Sequence, residues 1–367
     1  MGASLPVPLD GARRILLIKP SALGDVVHAL PVAATLKRRY PSIPLDWLVE
    51  EEAADIVRGH PAVAEVVVSG RKRWVRQLGS PGRVPATLAE IRAFAARLGG
   101  GRYDAVLDLQ GLLKSALYLL ATRAPVRVGF AAAREGASLA LTHRVVSPPP
   151  PVHAVDRYLA LAAAVDASQA VREFTIALTP ADEAAAQMLL APLPRPRVVL
   201  HPAARWRTKL WLPERWRALS AALSQEGWGV ILTGGAGDVR LAAELMAGLT
   251  PPPLSLVGRV GLKGLTAVLR QADLMITVDS GPMHIAAAVG TPVLALFGPT
   301  DPRRTGPLGP GRVLRRDIPC SPCLARHCRI PEEYRCMREL ELEEVLRGAR
   351  GLVGTAQAAR RPGARGG

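Results

Sequence analysis

An aspartate stands in the turn of KPSALGDVVHALP (residues 19–31), directly after a lone glycine, Gly24, and between two apolar runs. Strand, short turn and helix is the usual opening of a nucleotide-binding α/β unit, whose helix N-terminus favours an anion. Three glycines would mark a dinucleotide fingerprint. Here there is one, and Asp25 carries the wrong charge for a phosphate site. Two roles fit the carboxylate equally well. It caps the helix that begins near Val26, or it takes a proton from a bound hydroxyl as a general base.

Other chemistry lies in the second half of the chain. VDSGPMHIAAAVGTPVLALFGPT (278–300) puts Ser280 and Gly281 at the start of a helix, with His284 one turn in. Open N–H groups there suit a phosphate. HPAARWRTKLW (201–211) sets Arg205, Arg207 and Lys209 beyond a strand end, a cationic loop that either holds a diphosphate or is simply solvated. Cys320, Cys323, Cys328 and Cys336 fall close together. They read either as a structural zinc site or as reduced thiols, disulfides being disfavoured in a reducing cytoplasm.

The elements that must position these groups alternate. RRILLIK (13–19), PLDWLVE (44–50), AEVVVSG (64–70) and YDAVLDLQG (103–111) read as strands. Helices are expected over Pro31–Tyr40, over EEAADIVRGHP and over TLAEIRAFAARL (87–98). The rhythm restarts after Pro180, with strands at RVVLHPAA, GVILTGG, LMITVDSG and PVLALFG and helices between them. Such alternation argues for parallel sheets covered on both faces, hence an α/β class with two doubly wound sheets joined near residues 168–182. Ligands of such sheets sit beyond the carboxyl ends of the strands. Asp25, Asp108–Gln110, His201, Gly234–Gly235 and Asp279–Ser280 all fall there.

Composition bounds the partners. The chain has 367 residues, 49% hydrophobic and only 4% aromatic, enough for two aliphatic cores. No long uninterrupted apolar run suggests a membrane-spanning helix, and no signal-peptide pattern opens the chain, so a cytoplasmic location is expected. The formal charge of +16 suits a polyanionic or phosphorylated partner. Nothing resembles a nucleic-acid-binding motif, and ARRPGARGG near the end reads as a solvated basic tail. No Asp-x-Asp pair, a common ligand set for a metal ion, is present.

Taken in order from about residue 13 to about 347, KPSALGDVVHALP, LDWLVEEE, DAVLDLQGLLKSA, AREGASL, HAVDRY, the K-x-W of Lys209–Trp211 and VDSGPMHIAAAVGTPVLALFGPTDP resemble glycosyltransferase family 9, the bacterial lipopolysaccharide heptosyltransferases. Several N-terminal motifs look most like the heptosyltransferase I type. The resemblance implies a GT-B fold: an acceptor-binding Rossmann-like domain (1–175) and a nucleotide-sugar-binding one (176–350) facing a cleft, then a basic flexible tail (351–367). It implies inverting, metal-independent transfer of heptose from ADP-L-glycero-β-D-manno-heptose to the Kdo of lipid A, with no required cofactor. Asp25 matches the family's base. Lys209, Arg205, Asp279, Ser280, Gly281 and His284 match the donor pocket, with Val260 against adenine and Asp238 toward the ribose. Arg71, Lys72, Arg73 and Arg76 look like the basic acceptor loop, joined by Arg134 and, on the same side, Ser21, Gly24, His28 and Gln110. An acidic acceptor also implies peripheral contact with the inner membrane.

Departures from the family pattern are Val75 in the basic run, AARW in the phosphate loop, and GAGDVR without the expected glutamate. They leave the exact sugar and acceptor open, and two alternatives stand beside the leading reading. One is another sugar nucleotide or acceptor, as in the heptosyltransferase II type. The other is a nonenzymatic phosphate- or nucleotide-binding module.

Overall fold

The computed structural model describes residues 5–331 and 333–360. The chain divides between Ala177 and Leu178 into two compact units.

In the first unit the strands are β1 (Ile15–Ile18), β2 (Leu45–Glu50), β3 (Glu65–Ser69), β4 (Ala105–Asp108), β5 (Val126–Phe130) and β6 (His143–Val145). Its helices are α1 (Leu23–Arg39), α2 (Ala54–Val57), α3 (Arg71–Leu78), α4 (Val84–Gly100), α5 (Leu113–Ala121) and α6 (Ala154–Ala163). The sheet is parallel, in the order β3-β2-β1-β4-β5-β6. Every residue of β1, β2 and β4 is buried, as strands covered on both faces must be.

The second unit has strands β7 (Arg197–His201), β8 (Gly229–Leu232), β9 (Leu254–Ser255), β10 (Leu274–Val278), β11 (Val293–Phe297) and β12 (Gly311–Arg315). Its helices are α7 (Pro180–Leu190), α8 (Pro213–Gln225), α9 (Val239–Met246), α10 (Leu262–Gln271), α11 (Gly281–Ala288), α12 (Pro302–Thr305), α13 (Arg335–Arg338) and α14 (Leu342–Arg360). This sheet is also parallel, in the order β12-β11-β10-β7-β8-β9. Counted within its own unit, each sheet therefore has the Rossmann order 3-2-1-4-5-6, with its topological switch point between strands 1 and 4. Those points lie between β1 and β4 and between β7 and β10.

Two expectations need correction. Helix α1 starts at Leu23 and carries Pro31 in its interior. Proline there removes one backbone donor, but Val26 to Ala33 are all buried, so packing outweighs the lost bond. Gly24 lies inside the first turn of α1 and is not among the glycines of positive φ. Helix α14 continues through residue 360, so the first ten residues of the expected tail are helical, its Val345, Leu346, Ala349 and Val353 packing into the core. Residues 361–367 lie outside the described residues.

Candidate active site

At the first switch point, the loop after β1 carries Lys19, Ser21 and Asp25. The Asp25 carboxylate accepts a hydrogen bond from the Ala22 N–H (3.2 Å) through Oδ2 and one from the Tyr158 hydroxyl (3.3 Å) through Oδ1. The Lys19 ammonium is 3.7 Å from Oδ2 and lies over the Tyr158 ring. Lys19 is 2% exposed and the Asp25 side chain 37%. The acid is thus held from behind and open in front. Burial opposes its ionisation, but the Lys19 charge, His28, the Ala22 N–H and the Tyr158 hydroxyl together outweigh burial and hold Asp25 below the usual carboxylate range. Burial also lowers Lys19, against the opposing pull of Asp25 and Asp108, and raises Tyr158 well above its ordinary value, keeping it a donor.

The loop after β4 completes this edge. Buried Asp108 accepts from the Gln110 and Gly111 N–H groups (2.9 and 3.2 Å) and from the Ser115 hydroxyl (2.8 Å), which folds the loop around it. Gln110 Oε1 then accepts from the Ser21 N–H at 3.3 Å. Lys114 Nζ reaches both Ser21 Oγ (2.6 Å) and Glu50 Oε1 (3.0 Å), and Arg71 Nε reaches the same Glu50 oxygen at 2.8 Å. Ser21, Gln110 and Arg71 therefore join Asp25 at one strand edge.

The second switch point has reversed polarity. The turn after β7 brings Lys209 Nζ to 2.6 Å from Asp279 Oδ2, on the loop after β10, and 4.7 Å from the Trp206 ring centroid. Thr300 Oγ1 donates to the same carboxylate oxygen at 2.7 Å. Asp279 is buried and Lys209 is largely so, at 8% and 16% side-chain exposure. Ser280 is the N-cap of α11 but makes no side-chain cap bond; its hydroxyl pairs with Thr277 Oγ1 at 3.1 Å. The Gly281 and Met283 N–H groups at the start of α11 are left without a side-chain cap, and Pro282 between them has no N–H. His284, one turn in, is buried. At the end of β7, His201 Nδ1 pairs with Thr233 Oγ1 at 3.1 Å, and burial lowers this histidine to about 4, so its ring is neutral.

Residues 91–333 match the model of glycosyltransferase family 9 (heptosyltransferase). Lipopolysaccharide heptosyltransferase 1 of Pseudomonas aeruginosa is 37% identical over 348 residues, covering 91% of this chain and 93% of that protein. The chain belongs to glycosyltransferase family 9. It is also similar to the solved heptosyltransferase WaaC of E. coli with ADP, at TM-score 0.70 and 31% identity over 92% of this chain and 99% of that one. The same E. coli enzyme with ADP-2-deoxy-2-fluoro heptose matches at TM-score 0.69 and 30% identity, with the same coverage. This family 9 protein is accordingly a glycosyltransferase with the GT-B fold, built from two Rossmann-like domains.

Family membership does not place every expected residue in an open site. Arg71, Lys72, Arg73 and Arg76 lie on helix α3, not in a loop. Three of them pair with the acidic run that ends β2: Arg71 with Glu50, Lys72 with Glu52, and Arg73 with Glu51, Arg73 also reaching Glu90. LVEEE and RKRW are complementary, and Arg76 stays exposed outside these pairs. Arg134 is exposed, its N–H bonded to the Gly111 carbonyl at 3.0 Å. His28 is buried and meets His153 edge-on at 5.0 Å, an arrangement that packs α1 on α6. In the second domain Arg205 is exposed and Val260 half-buried. Asp238 accepts from the Gly235 N–H at 2.8 Å, holding its own turn.

All four cysteines are free, Cys323 exposed and Cys336 buried. Burial, with the neighbouring Cys320, Cys323 and Cys328, pushes Cys336 up to about 11. Among the described residues no group of three or more His, Cys, Asp or Glu side chains could hold a metal ion, so the zinc reading finds no support.

Sequence reasoning missed Lys19, Tyr158, Glu50 and Lys114 around Asp25, and Trp206, Thr277 and Thr300 around Lys209. Tyr158 and Lys114 lie in HAVDRY and DLQGLLKSA and Thr300 in GPTDP, so the signal was present without a role attached to it.

Proposed function

We propose that this protein transfers heptose from an ADP-heptose donor to the Kdo of lipid A or to the adjoining inner core. The observation that carries the reading is the opposite chemistry at two equivalent switch points. In the first domain, the α1 N-terminus is already occupied by the protein's own carboxylate, Asp25, so a phosphate is repelled and a hydroxyl is welcome. In the second, the α11 N-terminus has no such carboxylate cap and Lys209 stands nearby, which suits a diphosphate.

The steps follow from these groups. Asp25, ionised and partly exposed, accepts the proton of the acceptor hydroxyl as that oxygen attacks the anomeric carbon. ADP leaves from the opposite face, so the configuration inverts. Lys209 and the α11 amides take up the charge developing on the diphosphate, and Thr300 with Asp279 orients Lys209. The leaving group then needs no metal. The second domain holds the nucleotide, Val260 near the base and Arg205 near the phosphates, while Arg71, Lys114 and Arg134 offer cations to the acceptor's carboxylates and phosphates. An acceptor anchored in a lipid also calls for peripheral association with the cytoplasmic face of the inner membrane.

ADP release measured with ADP-heptose and Kdo-lipid A tests this. Release is expected to persist in a chelator, to give an inverted linkage by NMR, and to collapse in Asp25→Ala. Tighter binding of NAD or UDP than of ADP, or release unchanged in Asp25→Ala, would sink the reading. A match with a heptose-bearing core and not with Kdo-lipid A would move the acceptor to the heptosyltransferase II type.

A further inference from the structure

Helix α5 turns leucines to solvent at i, i+4 and i+7: Leu113, Leu117 and Leu120 are 53%, 60% and 53% exposed. That spacing is a single helix face. The opposite face, with Ala116 and Leu119, is buried in the core of the first sheet. The short turn Ala137–Ala140 packs against α5 and adds Leu139, while Val146 follows β6; both are 81% exposed. Isolated surface leucines need no explanation, but several on adjoining elements make a continuous apolar face.

The charges along this stretch are mostly basic. Between Gly111 and Val146 there are five Lys and Arg residues and one acid, Glu135. Arg123 lies just past the end of α5, Arg134 is bonded through its N–H to Gly111 at the leading end, and Arg144 donates to the Ser138 carbonyl beside Leu139. Glu135 is occupied with the Leu113 N–H. Leucines flanked by arginines match an anionic bilayer surface, where apolar side chains enter the interface and cations meet phosphate headgroups. A second copy of the same face would set like charges together. Helix α5 also begins just after the Asp108–Gly111 loop, so a membrane on this face lies beside the acceptor edge.

We propose that the leucine face of α5, with Leu139 and the flanking arginines, docks the protein on anionic phospholipid bilayers. The proposal rests on the reading above that the acceptor is a membrane lipid. It names the surface that meets the membrane.

Co-sedimentation of the full chain with phosphatidylcholine vesicles, with and without phosphatidylglycerol, tests it. The wild type is expected to bind the anionic vesicles, more weakly as salt rises. The triple variant Leu117→Ser, Leu120→Ser, Leu139→Ser is expected to bind about tenfold or more weakly, and Val239→Ser, an exposed apolar change in the second domain, as wild type. Arg123→Glu with Arg144→Glu should remove the preference for anionic vesicles. On a deacylated, water-soluble acceptor the triple variant should release ADP at the wild-type rate, which shows that it is folded. Undiminished vesicle binding by the triple variant overturns the proposal, as does a wild type that ignores vesicles. So does a wild-type dimer, seen by light scattering, that the triple variant turns into a monomer without change in vesicle binding. Vesicle binding that depends on these leucines in a chain that releases no ADP would support the docking face and overturn the transferase reading alone.

Discussion

Asp25→Asn separates the two roles open to this residue. Asparagine keeps an oxygen for the Ala22 N–H, so the start of α1 stays capped. It removes the negative charge 3.7 Å from Lys19. At an effective dielectric constant of 20, two unit charges at that distance attract by about 4–5 kcal/mol. The Asp25 side chain is more than one-third exposed, so screening reduces this to roughly 1–2 kcal/mol. Lys19, already lowered by burial, can also shed its proton and limit the loss. The melting temperature should therefore fall by only about 2–8 °C. Loss of a general base is larger, about 10²–10⁴-fold in kcat. With the nucleotide held as proposed by the second domain, ADP affinity should not change. The assay is ADP release under saturating donor, with a thermal melt on the same sample. If kcat stays within about tenfold of wild type while the melt shifts as stated, Asp25 is a cap only, and the base assignment is refuted.

The pH profile adds a check of sign. With Asp25 as the proposed base, the ionised form is the active one, and its pKa is depressed, so kcat/KM should be complete above the ordinary carboxylate range and lost as pH falls through the folded value. Lys19→Met removes the largest influence that lowers Asp25 and leaves burial, so the acid limb should move to higher pH. A limb that stays in place would mean that Lys19 does not set the charge of Asp25.

Lys209→Ala should weaken ADP binding about 10- to 100-fold, the worth of a charge-assisted contact, and calorimetric titration would expose an unchanged Kd. Burial lowers His60 and His201 to about 4, so the unfolded chain binds more protons between there and about 6.5. Stability is complete above that window and falls through it by about 3 kcal/mol per histidine; in urea melts at pH 7 and pH 4.5, His201→Gln should lose correspondingly less on acidification than wild type. Exposed Cys323 should react with maleimide early and Cys336, buried and raised to about 11, last; peptide mapping after timed quenching reads the order, and metal analysis showing about one zinc per chain would overturn the free-thiol state.

Much of the architecture could be read from periodicity, because the central strands are continuous apolar runs with polar residues at their carboxyl ends. Boundaries failed where packing opposed local preference. Pro31 suggested a helix start, yet a buried apolar stretch carries α1 straight through it. The basic run 71–77 suggested an open loop because its partners, Glu50 to Glu52, lie 20 residues away in the chain and are brought close only by the β2–β3 pairing. Lys19 and Tyr158 were invisible for the same reason. One ends an apolar strand and the other sits in a helix far along the chain, and only the sheet order sets both against Asp25.

The same sheet order accounts for the division of work proposed for these two near-copies of one fold. A Rossmann switch point offers a helix N-terminus to whatever lies beyond it, and its default ligand is an anion. One side chain reverses that default. Asp25 places a carboxylate over the first turn of α1 and bonds the Ala22 N–H, so the anion position is filled by the protein itself. At the start of the corresponding helix in the second domain, the N-cap Ser280 turns its hydroxyl to Thr277 and leaves the turn uncovered. In the proposed mechanism, cap and base are not rival roles for Asp25. Capping through Oδ2 fixes the carboxylate, Tyr158 holds Oδ1, and the exposed third of the side chain is what remains to meet a hydroxyl.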